Sequence, residues 1–249
     1  MTVTVPTAGP GQACDANRGT FPRKRAVTFA LVLDRSLYKL VGVSPSATKS
    51  RIVHVTSGLF RRQGYHATGI KQIVEAANAP FGSIYHFFPG GKEEIGAQVI
   101  RSSGSLYLHL IEAILDSQPD VVAGTRAFFE GAAAQLVATD YVDACPIATV
   151  ALEVASTNDT LRRATDEVFE LWIEATSDRF TAAGIDVARA RELAVFALAA
   201  LEGAFVISRA ARDPEAVLAA GREVAVAVQA ALPARRPRRQ RHPSSTTRE

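Results

Sequence analysis

Apolar residues recur at three- and four-residue intervals along most of the chain from Ala47 to Leu232, and period-two alternation is scarce. Ile52, Val55, Leu59 and Phe60 share one face, which predicts a helix from about Ala47 to Gln63, with Ser46 as N-cap and Gly64 as the stop. Ile70, Ile73, Val74 and Ala77 form the stripe of a short second helix capped by Thr68, and Asn78 suits the left-handed turn after it. Pro80 fits the first turn of a third helix ending near residue 87, with Ile84 and Phe88 facing inward and Gly82, Ser83 and His86 outward. A fourth helix runs from about Lys92 to Ser117, carrying Ile95, Val99, Leu106, Leu110, Ile114 and Leu115. Further helices fall at about 120–138, 146–156, 159–183, 187–211 and 214–231, separated by breaks at Asp116–Asp120, Asp143–Pro146, Asn158-Asp159, Gly184 and Asp213-Pro214.

This pattern predicts an all-α protein of about nine helices. The long helix, short helix, tight turn and second short helix over residues 47–92 make a three-helix unit of helix-turn-helix type, which places its second short helix in the major groove of DNA. Residues 93–232 form a larger helical domain. Residues 1–46, rich in Gly, Pro and Thr, are expected to be a disordered extension with a short helix around 26–40, and residues 233–249 a basic disordered tail.

Charge sharpens the division. The net charge of +3 is the sum of +4 over residues 1–46, +3 over 47–95, −9 over 96–232 and +5 over 233–249. A polyanion is drawn to the N-terminal part and the tail and repelled by the body between them. Cys14 and Cys145 have no zinc-like spacing and are expected to be free thiols. The Arg23-Lys24-Arg25 run before AVTFALVL is cut short by Asp34 and Arg35 and lacks a cleavage site, and no apolar run is expected to span a bilayer, so the expected location is cytoplasmic. No nucleophile–base pair, metal-ligand cluster or phosphate loop stands at useful spacing, which argues against a helical enzyme, a metal site or a cofactor.

Phe60, Gly64-Tyr65, Thr68, Ile73, Ala77, the GSIYHFF run from Gly82 to Phe88, and Lys92 are spaced as in the DNA-binding domain of the TetR family of bacterial transcriptional regulators, which Thr48–Ile95 resembles. The Pro89-Gly90-Gly91-Lys92-Glu93-Glu94 ending and the later Cys145-Pro146 resemble the LmrA-like branch, whose members are drug- or flavonoid-responsive repressors. The resemblance implies a homodimer that binds a pseudo-palindromic double-stranded DNA operator and is released by a small hydrophobic effector. No cofactor and no membrane partner is expected.

Carried over position by position, it implies that Thr68 holds a phosphate at the start of the second helix, where the free N–H groups favour an anion. Tyr85 would set its phenol on a phosphate with its ring packed inward, and Lys92 would add a charged contact. Gly82 allows close approach of the backbone, Ser83 reaches a base edge or phosphate, and His86 donates to either. Pro80 stands where the family often has a small hydroxyl residue. Phe81 replaces a commonly polar or basic residue and is suited to a thymine methyl.

His54 and His66 are read as ordinary surface groups, His66 with a phosphate contact as its one further role. Glu153, Glu167 and Glu174 are read as solvated faces or pocket rims. In the C-terminal domain, which the resemblance makes ligand-binding and dimerising, Phe128, Phe129, Cys145, Phe169, Trp172 and Phe196 are candidates for a pocket. Leu198, Leu201, Ala204, Val217, Val224 and Val228 on the last two helices are candidates for the dimer interface. The rival reading is a constitutive or architectural DNA binder using both basic ends.

Overall fold

The computed structural model describes residues 48–234 apart from residue 144. The expectations for residues 1–46, for Ala47, for Cys14 and for the tail beyond residue 234 lie outside the described residues. Among the described residues the structure has nine α-helices and no strand. They are α1 (Thr48–Gln63), α2 (Ile70–Ala77), α3 (Gly82–Phe87), α4 (Gly91–Asp116), α5 (Val121–Ala138), α6 (Pro146–Val154), α7 (Asp159–Ala182), α8 (Val187–Ala211) and α9 (Glu215–Ala231).

Local chemistry sets most of the boundaries. Asp120, Asn158 and Asp186 cap α5, α7 and α8, each side chain accepting from backbone N–H groups of the first turn. The Cys145 sulfur accepts from the Ala148 N–H at 3.5 Å and Pro146 fills the first position of α6. Asn78 ends α2 in the left-handed region, at φ 45° and ψ 54°. Thr68, by contrast, does not cap α2. Gly69 holds that position, and Thr68 is fully buried, its hydroxyl donating to the Gly64 carbonyl at 2.7 Å and accepting from Gln63 Nε2 at 3.2 Å.

α1 packs on α2, α3, α4 and α6, so the helix-turn-helix unit rests on two helices of the body. α4 lies against α7, and α5, α8 and α9 close the far side of the molecule. Ile52, Phe60, Ile73, Ile84 and Phe88 fill the core of the N-terminal unit, each fully buried apolar side chain contributing roughly 1.5–3 kcal/mol. That core does not end at residue 92. It runs on through Ile95, Val99, Val150, Val154 and Leu161 to Trp172.

Two expectations for the last helices are corrected. Leu201, Ala204, Val217, Val224 and Val228 are buried inside the protomer, and Leu198 is half-buried, so the stripe chosen for pairing is the inward one. The face of α8 left exposed carries Val195, Phe196, Val206 and Ile207 instead. In addition, α8 is long and apolar enough to cross a membrane by length and composition, against the expectation that no such run exists, although only 28% of its most apolar window is buried. A helix apolar on all sides needs cover on all sides. α7 and α9 cover one side of this one.

Candidate nucleic-acid interface and ligand cavity

The first site is built on α3. Pro80 and Phe81 lead into it through a tight turn, the Pro80 carbonyl accepting from the Ser83 N–H at 2.9 Å and the Phe81 carbonyl from the Ile84 N–H at 3.2 Å. With Ile84 and Phe88 anchored in the core, helical geometry turns Phe81, Gly82, Tyr85 and His86 outward, and all four are exposed; Ser83 is half-buried. Phe81 and Tyr85 stand one turn apart with ring centroids at 6.0 Å, each more than half exposed. The Tyr85 ring is therefore not packed inward as the family resemblance implied. Gly91, at φ +64°, lies beside the ring, and a Cβ there would stand 3.7 Å from Tyr85 Cε1, an ordinary contact.

Beside the end of α3, exposed Lys49 sets its Nζ 5.3 Å from the Phe88 ring centroid, and Arg62 on α1 and Lys71 on α2 are exposed as well. Lys92 folds back, with Nζ 4.2 Å from the Tyr65 ring centroid and 3.5 Å from the His66 carbonyl, and burial lowers its pKa. Thr68 has no surface to offer a phosphate. At the start of α2, beside exposed Lys71, the Gln63 and Gln72 amides bond each other at 2.9 Å while Gln72 accepts from the Gly69 N–H.

Glu153 was not singled out for any contact with the N-terminal unit, yet it reaches across from α6. Its carboxylate accepts from the Tyr65 N–H at 3.1 Å, the His66 N–H at 2.7 Å and His66 Nδ1 at 3.0 Å. Gly64 makes this possible. It sits at φ +80°, and a Cβ there would fall 1.7 Å from Glu153 Oε1.

The second site is a cavity of about 110 Å³ bounded by α4, α5, α7 and α8 and closed by the residues before α6. That space is several times the roughly 10–15 Å³ one water requires. Of the pocket residues proposed from sequence, Phe128, Phe129, Cys145 and Trp172 lie in its wall. Phe169 does not; it packs against Trp172, ring centroids 6.0 Å apart. Phe196 does not either, being 45% exposed on the outer face of α8. Leu198 and Leu201, expected at a dimer interface, line the cavity.

Sequence reasoning missed the charged members of the wall, Arg61, Asp143 and Glu202, and with them Tyr107 and Gln135. Arg61 belongs to the last turn of α1 and places its Nε 3.8 Å from Asp143 Oδ2. That Nε is buried and makes no hydrogen bond. Burial pushes the Tyr107 phenol up to about 12, and it lies beside Arg61, Cys145 and Asp143. Burial, with Glu202 close by, holds the Cys145 thiol well above its usual range. Burial also pushes the Glu202 carboxyl up to about 7. One signal was available for Glu202, the single charged residue between Leu193 and Ser208.

The model for bacterial regulatory proteins of the tetR family matches residues 52–99, and that for the C-terminal domain of LmrA/YxaF-like transcriptional regulators matches residues 121–223. The HTH-type transcriptional regulator YxaF of Bacillus subtilis is 32% identical over 182 residues, which is 73% of this chain and 95% of YxaF. The chain belongs to the TetR family. A second relative of this TetR-family chain, the HTH-type transcriptional regulator LmrA of Bacillus subtilis, is 27% identical over 69% of the chain and 91% of LmrA. The crystal structure of a TetR transcriptional regulator from Legionella pneumophila has the same fold, with a TM-score of 0.64 at 24% identity over 72% of this chain and 96% of that one. The TetR-family chain is thus a DNA-binding transcriptional regulator and not an enzyme, and α3 is the second helix of its helix-turn-helix.

Proposed function

We propose that this regulator is a ligand-responsive repressor that binds a pseudo-palindromic operator as a homodimer in the cytoplasm and leaves it when a small hydrophobic effector fills the cavity. The observation that carries the reading is the composition of the cavity wall: it is formed by the body, with the one exception of Arg61, which comes from the first helix of the DNA-binding unit. An effector that displaces Arg61 from Asp143, or shifts Tyr107 on α4, acts directly on the helices that carry α3. For this to shift an equilibrium the effector must bind the DNA-incompetent arrangement more tightly than the competent one.

On DNA, Phe81, Gly82, Ser83, Tyr85 and His86 would face the major groove, with Phe81 placed for a thymine methyl and the Tyr85 phenol for a phosphate. Lys92 would swing from the Tyr65 ring to a phosphate, and Pro80 would shape the entry to α3. Thr68 keeps only an indirect part, holding the turn that presents Gly69 and Gln72. Dimerisation would use the exposed apolar face of α8, together with exposed Val226 on α9. A second copy supplies the missing cover and the two-fold symmetry that a pseudo-palindrome needs.

The test is operator affinity, with the operator selected from random double-stranded DNA by the full-length protein, measured with and without a compound that binds the cavity. Loss of affinity on adding the compound is expected. Unchanged affinity at saturation of the cavity would overturn ligand release. Loss of all sequence preference after removing residues 1–40 and 233–249 would favour the architectural binder instead.

A further inference from the structure

Glu202 stands alone on α8, in a run that is otherwise uncharged from Leu193 to Ser208, and it opens on the cavity. The partner of its carboxyl is the Cys145 thiol, and no basic side chain pairs with it among the described residues. Arg61, the one basic residue in the same wall, is already set against Asp143 and the Tyr107 phenol. A carboxyl largely shielded from water and without a counter-ion holds its proton to a higher pH than usual, and a cation beside it favours the ionised form. Gln135 on α5 brings a second acceptor to this cavity, a buried Oε1 that has no hydrogen-bond partner. The remaining wall is largely apolar, and six rings stand in it among the aliphatic side chains: Tyr107, Phe128, Phe129, Trp172, Phe180 and Phe205. Rings of this kind attract an ammonium over their faces.

We infer that the effector is a protonated organic amine, whose ammonium donates to the Glu202 carboxylate and whose apolar part fills the apolar cavity. This rests on the ligand-cavity reading above and names the chemistry the cavity selects. An anionic ligand anchored by Arg61 is the weaker fit, because Asp143 already neutralises Arg61 whereas Glu202 has no opposite charge beside it. The amine must find Glu202 ionised, so binding strengthens as pH rises through neutrality. The other titratable and charged groups of the wall are Cys145 and Tyr107, both held protonated by burial, and the Arg61–Asp143 pair.

Trp172 is the only tryptophan of the chain and lines the cavity, so its emission reports occupancy without a label. The full-length protein is titrated with three probes of one shape: 4-phenylbutylamine, 4-phenylbutan-1-ol and 4-phenylbutyrate. The amine is expected to bind at least about tenfold more tightly than the alcohol near pH 8, and its affinity to rise by up to about tenfold from about pH 6 to about pH 8. Glu202→Gln is expected to remove both the preference and the pH dependence while leaving alcohol binding intact, which shows that the variant is folded. Equal binding of amine and alcohol, or an unaltered preference in Glu202→Gln, would overturn the amine and leave the cavity reading standing. Tightest binding of the butyrate would overturn it in favour of Arg61. If none of the three perturbs Trp172, both the amine and the cavity as a ligand site fall.

Discussion

Gly64 shows how much can hang on one hydrogen atom in place of a side chain. Its φ of +80° disfavours any residue with a Cβ, and the space a Cβ would take is held by the Glu153 carboxylate. Gly64→Ala is therefore expected to cost about 2–3 kcal/mol, from backbone strain and from the loss of the bonds to Tyr65 and His66. Thermal unfolding of Gly64→Ala, Glu153→Ala and the double variant checks this. The double variant should lose clearly less than the two single losses added together, and full additivity would show that the two residues do not act as a unit. The stop at Gly64 was legible in the sequence because glycine ends helices. Its partner was not, since Glu153 lies 89 residues away on a helix that looks solvated when read alone. Thr68 misleads for a related reason. A threonine just before an apolar stripe has the chemistry of a cap, but here the hydroxyl closes back onto the Gly64 carbonyl and the next residue takes the cap.

At the scale of elements, α4 and α7 owe their close approach to Gly104. A Cβ on Gly104 would lie 2.4 Å from Val168 Cγ2, and the Gly104 carbonyl accepts from the Trp172 indole N–H at 2.9 Å. Gly104→Ala should therefore push α7 outward, lose about 1–3 kcal/mol by overpacking and shift the Trp172 emission, with Val168→Ala restoring part of each. Denaturant unfolding followed by tryptophan fluorescence measures both, and an unmoved midpoint with an unmoved spectrum would show that the helices yield freely. The positions of the nine helices among the described residues were readable from apolar spacing, because each stripe is bounded by a cap, a proline or a glycine. What each stripe faces was harder to read. On α8 and α9 the same hydrophobic term favours burial inside the protomer and burial against a second copy, so an all-round apolar helix cannot say which side is which. Leu201, Ala204, Val217, Val224 and Val228 proved to be the inner side.

For the molecule as a whole, the exposed apolar face of α8 sets the expected assembly. Val206 and Ile207 are 62% and 61% exposed, an arrangement that favours a covered interface over bare contact with water. Replacing both with Glu should yield a monomer by sedimentation, weaken operator binding sharply and leave occupancy of the cavity unchanged. A variant that stays dimeric would move the interface elsewhere. The charge division, a basic N-terminal part against an acidic body, was plain from the sequence and agrees with a protein that offers one end to DNA. The seam between the parts was less plain. Apolar periodicity shows where helices begin and end, whereas the continuity of a core depends on which helices meet, and here Phe60 and Ile95 share one core with Val150, Val154 and Trp172. That continuity limits how such regulators can be recombined. A chimera cut between α3 and α4 would strand half of a shared core and leave Glu153 facing a foreign turn. To exchange operator preference between relatives, α6 has to travel with the head.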